Sequence, residues 1–310
     1  MSFKESVYSE STLYAFRRSL FIPSLRPATL KCIRSIFSNF FLWQFICSFL
    51  PGKVPVTKVD HPLDARIPFL PSWVAIYIDF TQFWIRMMAF FIRRYGRRAY
   101  APVGKFIESM GNLYAYAAEV YKKNLSTTNR PFYIARPRFL MIHLLDPHLM
   151  CIPSLHVMVV IHTYTQFIEI AKKLGEYDKL KPQAIELKQG ALAISQAIFF
   201  VKQHSINCIP AALYAMTNFR ADIFPPEEAR LFINLLFSQA PVNEDVPKSC
   251  RVHPCASPLT KIADEDQKMI KNHILTLYNR FLEEGKTSES WEEPLIKFLK
   301  AYNEPVPKLG

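Results

Sequence analysis

RPRF at residues 136–139, IPSLHV at residues 152–157 and VKQHSINC at residues 201–208 are the three blocks around which this sequence is organised. Each block lies where a hydrophobic segment begins or ends. We therefore expect one arginine and two histidines to meet at one end of a helical bundle. A guanidinium beside two imidazoles can hold a phosphate group and exchange protons with it, so the pattern predicts a phosphate site.

The composition predicts a chain that is partly embedded in a membrane. Of the 310 residues, 50% are hydrophobic, 25 are Phe and 8 are Gly, so a large core is available. The mean hydropathy of +0.05 is low for a protein that is all membrane. A polytopic part joined to a soluble part would average to this value. We expect an all-α fold, a polytopic membrane bundle of about six spans with a soluble helical C-terminal tail.

Charge is distributed unevenly along the chain. Residues 221–310 hold 11 basic and 14 acidic side chains, and residues 1–220 hold 27 and 12, which gives net charges of −3 and +15. Basic residues beside apolar segments indicate membrane orientation and contact with anionic lipids. No basic stripe with interleaved aromatic residues lies outside the apolar segments, which argues against nucleic acid.

Six apolar segments are candidate spans, and their charged residues predict the topology. Arginines at four of the six positions 93–98 indicate a cytoplasmic loop, and three lysines indicate a second one at 175–188. Counting from a cytoplasmic N-terminus then places Arg136, His156 and His204 outside and the C-terminus inside. Asp79 and Arg86 should face protein, two turns apart and too far for a direct pair within a regular helix. The candidate spans are 35–52, 67–92, 101–121, 153–174, 189–201 and 205–219.

In this order and at this separation the three blocks resemble the type 2 phosphatidic acid phosphatase superfamily, whose pattern is K-x6-RP, PSGH and SR-x5-H-x3-D. The resemblance covers residues 129–214, and the chain is similar to the branch of the family that has PSLH in the second block. IPFLPSWVAIYIDF at 67–80 resembles the segment before the site in inositol phosphorylceramide synthase-like members. The resemblance implies three parts: a cytoplasmic interfacial lead-in at 1–28, a membrane phosphatase-like helix bundle at 29–220 and a soluble helical region at 221–310.

The family pattern implies a role for each matching residue. His204 would attack phosphorus and form a phosphohistidine, and His156 would protonate the leaving alkoxide. Arg136 would bind the phosphate, and Ser154 would help to hold its oxygens. The scheme requires no metal and no cofactor. Cys250 and Cys255 have one His between them, which is a weak pattern for a metal site. We expect a plain loop here.

The sequence departs from the family pattern at several positions. Asn129 replaces the lysine of the first block, with Arg130 one position away as a substitute, and Ala197-Ile198 replaces Ser-Arg. Lys202 either binds phosphate or anchors the helix end. Cys208 stands where the family has the aspartate that orients the nucleophilic histidine, so the enzyme would be slow or inactive.

Three functions stay open at this point. The first is a lipid phosphate phosphatase or phosphotransferase at the outer membrane face, whose partners are the bilayer and a membrane lipid phosphate. The second is a catalytically inactive relative that binds a phospholipid or polyprenyl phosphate headgroup. The third is a soluble helical acid phosphatase-like enzyme. A structural reading also exists for each residue, since a histidine at an apolar boundary is often only a buried polar group and Arg136 alone would be a snorkelling arginine.

Overall fold

Helix α8, which follows the second block directly, lies at the centre of the molecule. The computed structural model describes residues 6–50, 52–238 and 262–303. α8 spans Leu155–Lys173 and buries residues on every side, as expected for a helix that is apolar all round. It ends at Gly175, whose φ of 72° and whose N–H bond to the Lys172 carbonyl form a left-handed helix stop.

Helices surround α8, and the prediction of an all-α fold is confirmed, with 73% helix and 3% strand. A turn of π-helix, Phe37–Leu42, joins α2 to α3, and 3-10 turns occur at Val7–Ser9, Pro62–Arg66 and Pro71–Trp73. The other helices are α1 Thr12–Phe21, α2 Arg26–Ile36, α3 Trp43–Phe49, α4 Val74–Ile78, α5 Phe80–Tyr95, α6 Arg97–Lys123, α7 Pro137–Leu145, α9 Tyr177–Phe200, α10 Cys208–Phe219, α11 Pro226–Leu235, α12 Asp264–Gly285 and α13 Glu293–Asn303.

The bundle has two chemically different ends. At one end, Arg98 donates to the Leu174 carbonyl at 3.1 Å, which joins the arginine-rich turn at 93–98 to the end of α8. We call this the basic end. At the other, Tyr121 donates to the Pro153 carbonyl at 2.5 Å, where α8 begins. His156 and Lys173 are 17 residues apart on α8, so this second end, the site end, lies about 25 Å from the basic end.

A short parallel ladder lies at the site end. Strand β1, Val56–Lys58, pairs with β2, Leu125–Thr127, so that Thr57 is opposite Ser126. Thr57 and Ser126 are both fully buried. The ladder connects the loop that follows α3 to the loop that follows α6.

The C-terminal helices pack directly on the bundle. Ile270, Ile274 and Phe281 of α12 are fully buried, and Tyr278 hydrogen-bonds with Thr217 of α10 at 2.9 Å. They belong to the same hydrophobic cluster as α8. The predicted C-terminal helices are therefore present, and they cover α10.

Two sequence-based expectations are wrong in detail. Arg86 does pair with Asp79, at 2.9 Å to both carboxylate oxygens, because the helix is interrupted at Asp79 and the long arginine side chain reaches back across two turns. Residues 177–188, expected in a loop, form the first half of α9 despite Pro182. Cys250 and Cys255 lie outside the described residues.

Within the described ranges, one helical segment, Pro71–Tyr95, is long and apolar enough to cross a membrane by length and composition. A buried core helix of a soluble protein satisfies the same criterion, and 56% of the most apolar window is buried here. The predicted six-span bundle stays a prediction.

Candidate functional site

His156 and His204 lie beside each other at the site end. Their ring centroids are 5.2 Å apart, and the rings are inclined at 70°. The His156 ring stacks on Tyr77 at 4.4 Å and contacts Phe80 at 4.1 Å, so aromatic side chains fix its plane. The two histidines of the second and third blocks are therefore brought together as the sequence predicts.

The loop that carries His204 begins at the end of α9. Lys202 has a φ of 54°, Gln203 N donates to the Ile198 carbonyl and Lys202 N donates to the Phe199 carbonyl. This is the Schellman pattern, with a lysine in the left-handed position that usually holds glycine. The Lys202 ammonium donates to the Asp64 carbonyl. Lys202 thus anchors the helix end and does not face the histidines as a phosphate ligand.

The loop that precedes α8 and His156 is bound to β2. Ser126 Oγ accepts from Ile152 N at 2.7 Å, and the Ser126 carbonyl accepts from Cys151 N at 3.2 Å. Ser154, the N-cap residue of α8, is fully buried, and its Oγ has no hydrogen-bond partner among the described residues. The same is true of Nδ1 of His204. A buried polar atom without a partner is costly, so both atoms are available to a ligand.

Arg130 places a guanidinium against both of these loops. Its guanidinium donates to Gln203 Oε1 at 3.4 Å and to the Asp146 carbonyl at 3.0 Å, and lies 3.9 Å from the Asp146 carboxylate. Gln203 immediately precedes His204. Arg130 therefore connects the loop before α8 with the His204 loop.

His148, which matches no block, adds a third imidazole. Its ring centroid is 6.3 Å from that of His204, and Nε2 lies 2.8 Å from Thr128 Oγ1. Burial opposes the charged form of His148, but Cys151 and the Asp146 carboxylate outweigh it and raise its pKa to about 10. Burial also opposes ionisation of Asp146, but its hydrogen bonds to His148 lower its pKa to about 2. The pair is thus charged at neutral pH.

His204 itself is neutral at neutral pH. Burial, followed by the neighbouring His156 and His148 rings, lowers its pKa well below the ordinary value, against the opposing effect of Asp146. An unprotonated imidazole is the form that can act as a nucleophile.

Two residues of the family pattern are not brought to the histidines. Arg136 is exposed at the N-cap of α7, and no ion pair or hydrogen bond joins its guanidinium to a described residue. The reason is that residues 137–145 form a separate surface helix. Cys208 is buried as the first residue of α10, where its N–H donates to the Ser205 carbonyl, and no hydrogen bond joins its thiol to His204.

Sequence reasoning missed the hydrogen bonds that bind the His204 loop to the C-terminal helices. Asn207 Nδ2 donates to the Val59 carbonyl at 3.1 Å and to the Tyr302 hydroxyl at 2.6 Å. Asn207 Oδ1 accepts from His273 at 2.8 Å. The Asp64 carboxylate accepts from Ile206 N at 2.9 Å. No short-range sequence signal indicates these contacts, because the partners are 66 to 148 residues away from Asn207.

No protein-family model, curated protein or solved structure matches this chain. In the described part of the chain, no group of three or more His, Cys, Asp or Glu side chains is arranged to hold a metal.

The Asn207 contacts predict a large effect of one side chain on stability. Asn207→Ala leaves the Val59 carbonyl, Tyr302 and His273 without a partner. We expect a loss of about 3 kcal/mol in the free energy of unfolding, measured by urea titration. Asn272→Ala, at an exposed position of α12, should change it by less than about 0.5 kcal/mol. Equal effects of the two substitutions would contradict a stabilising role for the Asn207 hydrogen bonds.

Proposed function

We propose that this protein is a lipid phosphate phosphatase or phosphotransferase that works through a phosphohistidine at His204. The observation that carries the proposal is the pair of imidazoles 5.2 Å apart, with the buried, unpartnered Nδ1 of His204 and Oγ of Ser154 beside them. A phosphate would supply acceptors for the serine hydroxyl and an electrophile for the neutral imidazole.

The proposed chemistry has two steps. Nδ1 of His204 attacks phosphorus, the bond to the leaving oxygen breaks, and His156 gives the leaving alkoxide a proton. Water or an acceptor alcohol then attacks the phosphohistidine, and His156 removes its proton. Phosphate or a new phosphodiester leaves, and both histidines return to their starting states.

Arg130 is the phosphate-binding cation of this proposal, in place of Arg136. Its guanidinium already contacts Gln203, the neighbour of His204, and it is only partly exposed. An arginine presents several N–H donors in a rigid plane and suits the equatorial oxygens of a phosphoryl group. The Asp146 carboxylate, 3.9 Å away, holds the guanidinium in position.

Membrane location is supported by the separation of the two ends. The basic turns at 93–98 and 172–173 share one end of the bundle, and the histidines lie at the opposite end. Under the positive-inside rule the basic end and the N-terminus are cytoplasmic in this proposal. The site, at the opposite end of the bundle, then faces outside. The predicted six spans would return the chain to the cytoplasmic side, whereas His273 of α12 and Tyr302 of α13 hydrogen-bond to Asn207 at the site end. The proposal therefore keeps a membrane bundle with an outward-facing site and places α12 and α13 on the same side as the site, not inside.

A second candidate is a relative that binds a headgroup without turning it over. The observation in its favour is that Cys208, and not a carboxylate, occupies the position of the family's aspartate, so no carboxylate at that position pairs with His204. Cys208 is also fully buried. In a serine protease, replacing the orienting carboxylate by its amide lowers turnover about 10⁴-fold, or about 5 kcal/mol of barrier. The third candidate, a soluble acid phosphatase-like enzyme, is favoured by the single described segment that meets the span criterion. Release of the protein from membranes by alkaline carbonate would establish it.

The catalytic roles predict a specific pattern of activity. Detergent-purified protein should release inorganic phosphate from a panel of short-chain lipid phosphates. His204→Ala and His156→Ala should each lower release about a thousandfold or more.

Asn272→Ala is the control for this series. Asn272 is exposed on α12 and matches no block, so release should stay at the wild-type rate. Equal release from all variants would contradict the roles of His204 and His156. No release, with a phospholipid retained through purification, would select the headgroup-binding candidate.

The two arginines should respond differently to the same substitution. Arg130→Gln removes the positive charge beside the His204 loop, and we expect the KM for a lipid phosphate to rise about tenfold or more. Arg136→Gln, on the exposed N-cap of α7, should leave KM unchanged. Steady-state kinetics that show the reverse order would restore Arg136 as the phosphate ligand.

A further inference from the structure

The helical run from α2 through α3, residues 26–49, has the reverse of the pattern found in a water-exposed helix. Many of its large apolar side chains point away from the protein, although Ile36, Phe40 and Trp43 pack partly against the core. Phe37 is 58% exposed, Phe49 79%, and Leu30, Ile33 and Phe41 at least 40%. Leu30, Ile33, Phe37 and Phe41 are three or four positions apart and therefore share one face. We call this face the outer apolar stripe.

Small and polar side chains of the same run point towards the protein. Thr29, Cys32, Gln44 and Cys47 are buried. Ser35 Oγ donates to the Gly111 carbonyl of α6 at 2.6 Å. Polar and small residues inside with apolar residues outside are typical of helices that face lipid hydrocarbon, because lipid does not drive apolar side chains inward.

The contact with α6 is also of the kind found between membrane helices. A Cβ added at Gly111 would lie 2.9 Å from the Cys32 Cα, so the two backbones approach as closely as a glycine permits. Trp43 Nε1 donates to the Tyr121 carbonyl at 3.3 Å further along the same pair of helices. Small residues that allow this approach are enriched where helices pack in a bilayer.

Exposed polar groups on the run are bonded within their own helix. Ser38 Oγ donates to the Ser35 carbonyl at 3.3 Å, and Ser48 Oγ donates to the Gln44 carbonyl at 2.8 Å. A hydroxyl in hydrocarbon needs such an internal acceptor, whereas one in water does not.

The charges of the run complement an anionic bilayer. Arg26, Lys31 and Arg34 are exposed on its first turns, and no charged residue follows before Lys53. Cations at one end would meet lipid phosphates while the charge-free remainder enters the hydrocarbon. The described surface of α12, by contrast, exposes Glu265, Lys268 and Thr276.

We infer that the outer apolar stripe contacts the hydrocarbon of a lipid bilayer, with Arg26, Lys31 and Arg34 at the phosphate layer. The inference rests on the membrane location in the proposed function but not on the chemistry of His204. It assigns residues 26–49, which pack on one side of α6, as the lipid-facing surface.

The test places a photoreactive benzophenone amino acid at position 37 or 41 of the full chain, in place of an exposed phenylalanine. The protein is reconstituted in vesicles of phosphatidylcholine and phosphatidylglycerol, illuminated and analysed by intact mass. We expect lipid adducts at both positions. The same amino acid at Thr276, exposed on α12, is the control and should give none.

The possible adducts separate the alternatives. Crosslinks between two copies of the chain, without lipid adducts, would show that the outer apolar stripe is a self-association surface and overturn the inference. An absence of lipid adducts at 37 and 41, or equal lipid adducts at 276, would overturn it as well. Each outcome is independent of phosphate release, so failure of the proposed chemistry would not be mistaken for failure of this surface.

Discussion

The parallel pairing of β1 with β2 is the interaction on which the arrangement of the site depends. Ser126 of β2 binds the loop before His156 through its hydroxyl and its carbonyl. Val59, directly after β1, donates to the Thr127 carbonyl, and its own carbonyl accepts from Asn207 in the His204 loop. Two loops about 50 residues apart in the chain are therefore attached to the two strands of one ladder. This attachment holds the imidazoles 5.2 Å apart.

Sequence reasoning could predict the pair of histidines because both lie at the ends of helices. His156 follows the N-cap of α8, and His204 follows the C-terminus of α9. Helices that run in opposite directions bring such ends together. The lengths of the apolar segments also predict the all-α fold. The first half of α9 was missed because its lysines suggest a loop, although they lie on the solvent-facing side of a helix.

The rest of the site could not be predicted, since it depends on contacts between distant residues. Arg136 has the motif position but lies at the start of a surface helix, whereas Arg130 contacts Gln203 beside His204. Lys202 was left open between phosphate ligand and helix anchor, and its bond to the Asp64 carbonyl makes it an anchor. Asn207, His273 and Tyr302 form hydrogen bonds whose partners no local pattern indicates. The direct Asp79–Arg86 pair was excluded on the assumption of an uninterrupted helix, and the interruption at Asp79 makes it possible.

The protein's two sides differ in a way that agrees with the proposed function. Helices α11 to α13 cover α10 and expose charged residues such as Glu265 and Lys268 beside Leu231 and Met269, whereas residues 26–49 expose phenylalanine and leucine and carry no charged residue after Arg34. An enzyme that takes its substrate from a bilayer needs an apolar surface towards the lipid and a polar pocket for the phosphate. At the site end of this protein His204 is neutral, the Ser154 hydroxyl is buried and Arg130 contacts Gln203, and no described carboxylate is hydrogen-bonded to His204.

The central claim is that His204 carries the phosphoryl group. The most direct measurement is rapid mixing with a radiolabelled short-chain lipid phosphate, quenching in alkali, which preserves phosphohistidine, and mapping of the label by mass spectrometry. A phosphohistidine mechanism predicts label on His204 that appears early and is then lost with time to water, and is lost faster when an acceptor alcohol is added. Label on another residue, or phosphate release without any labelled histidine, would contradict it.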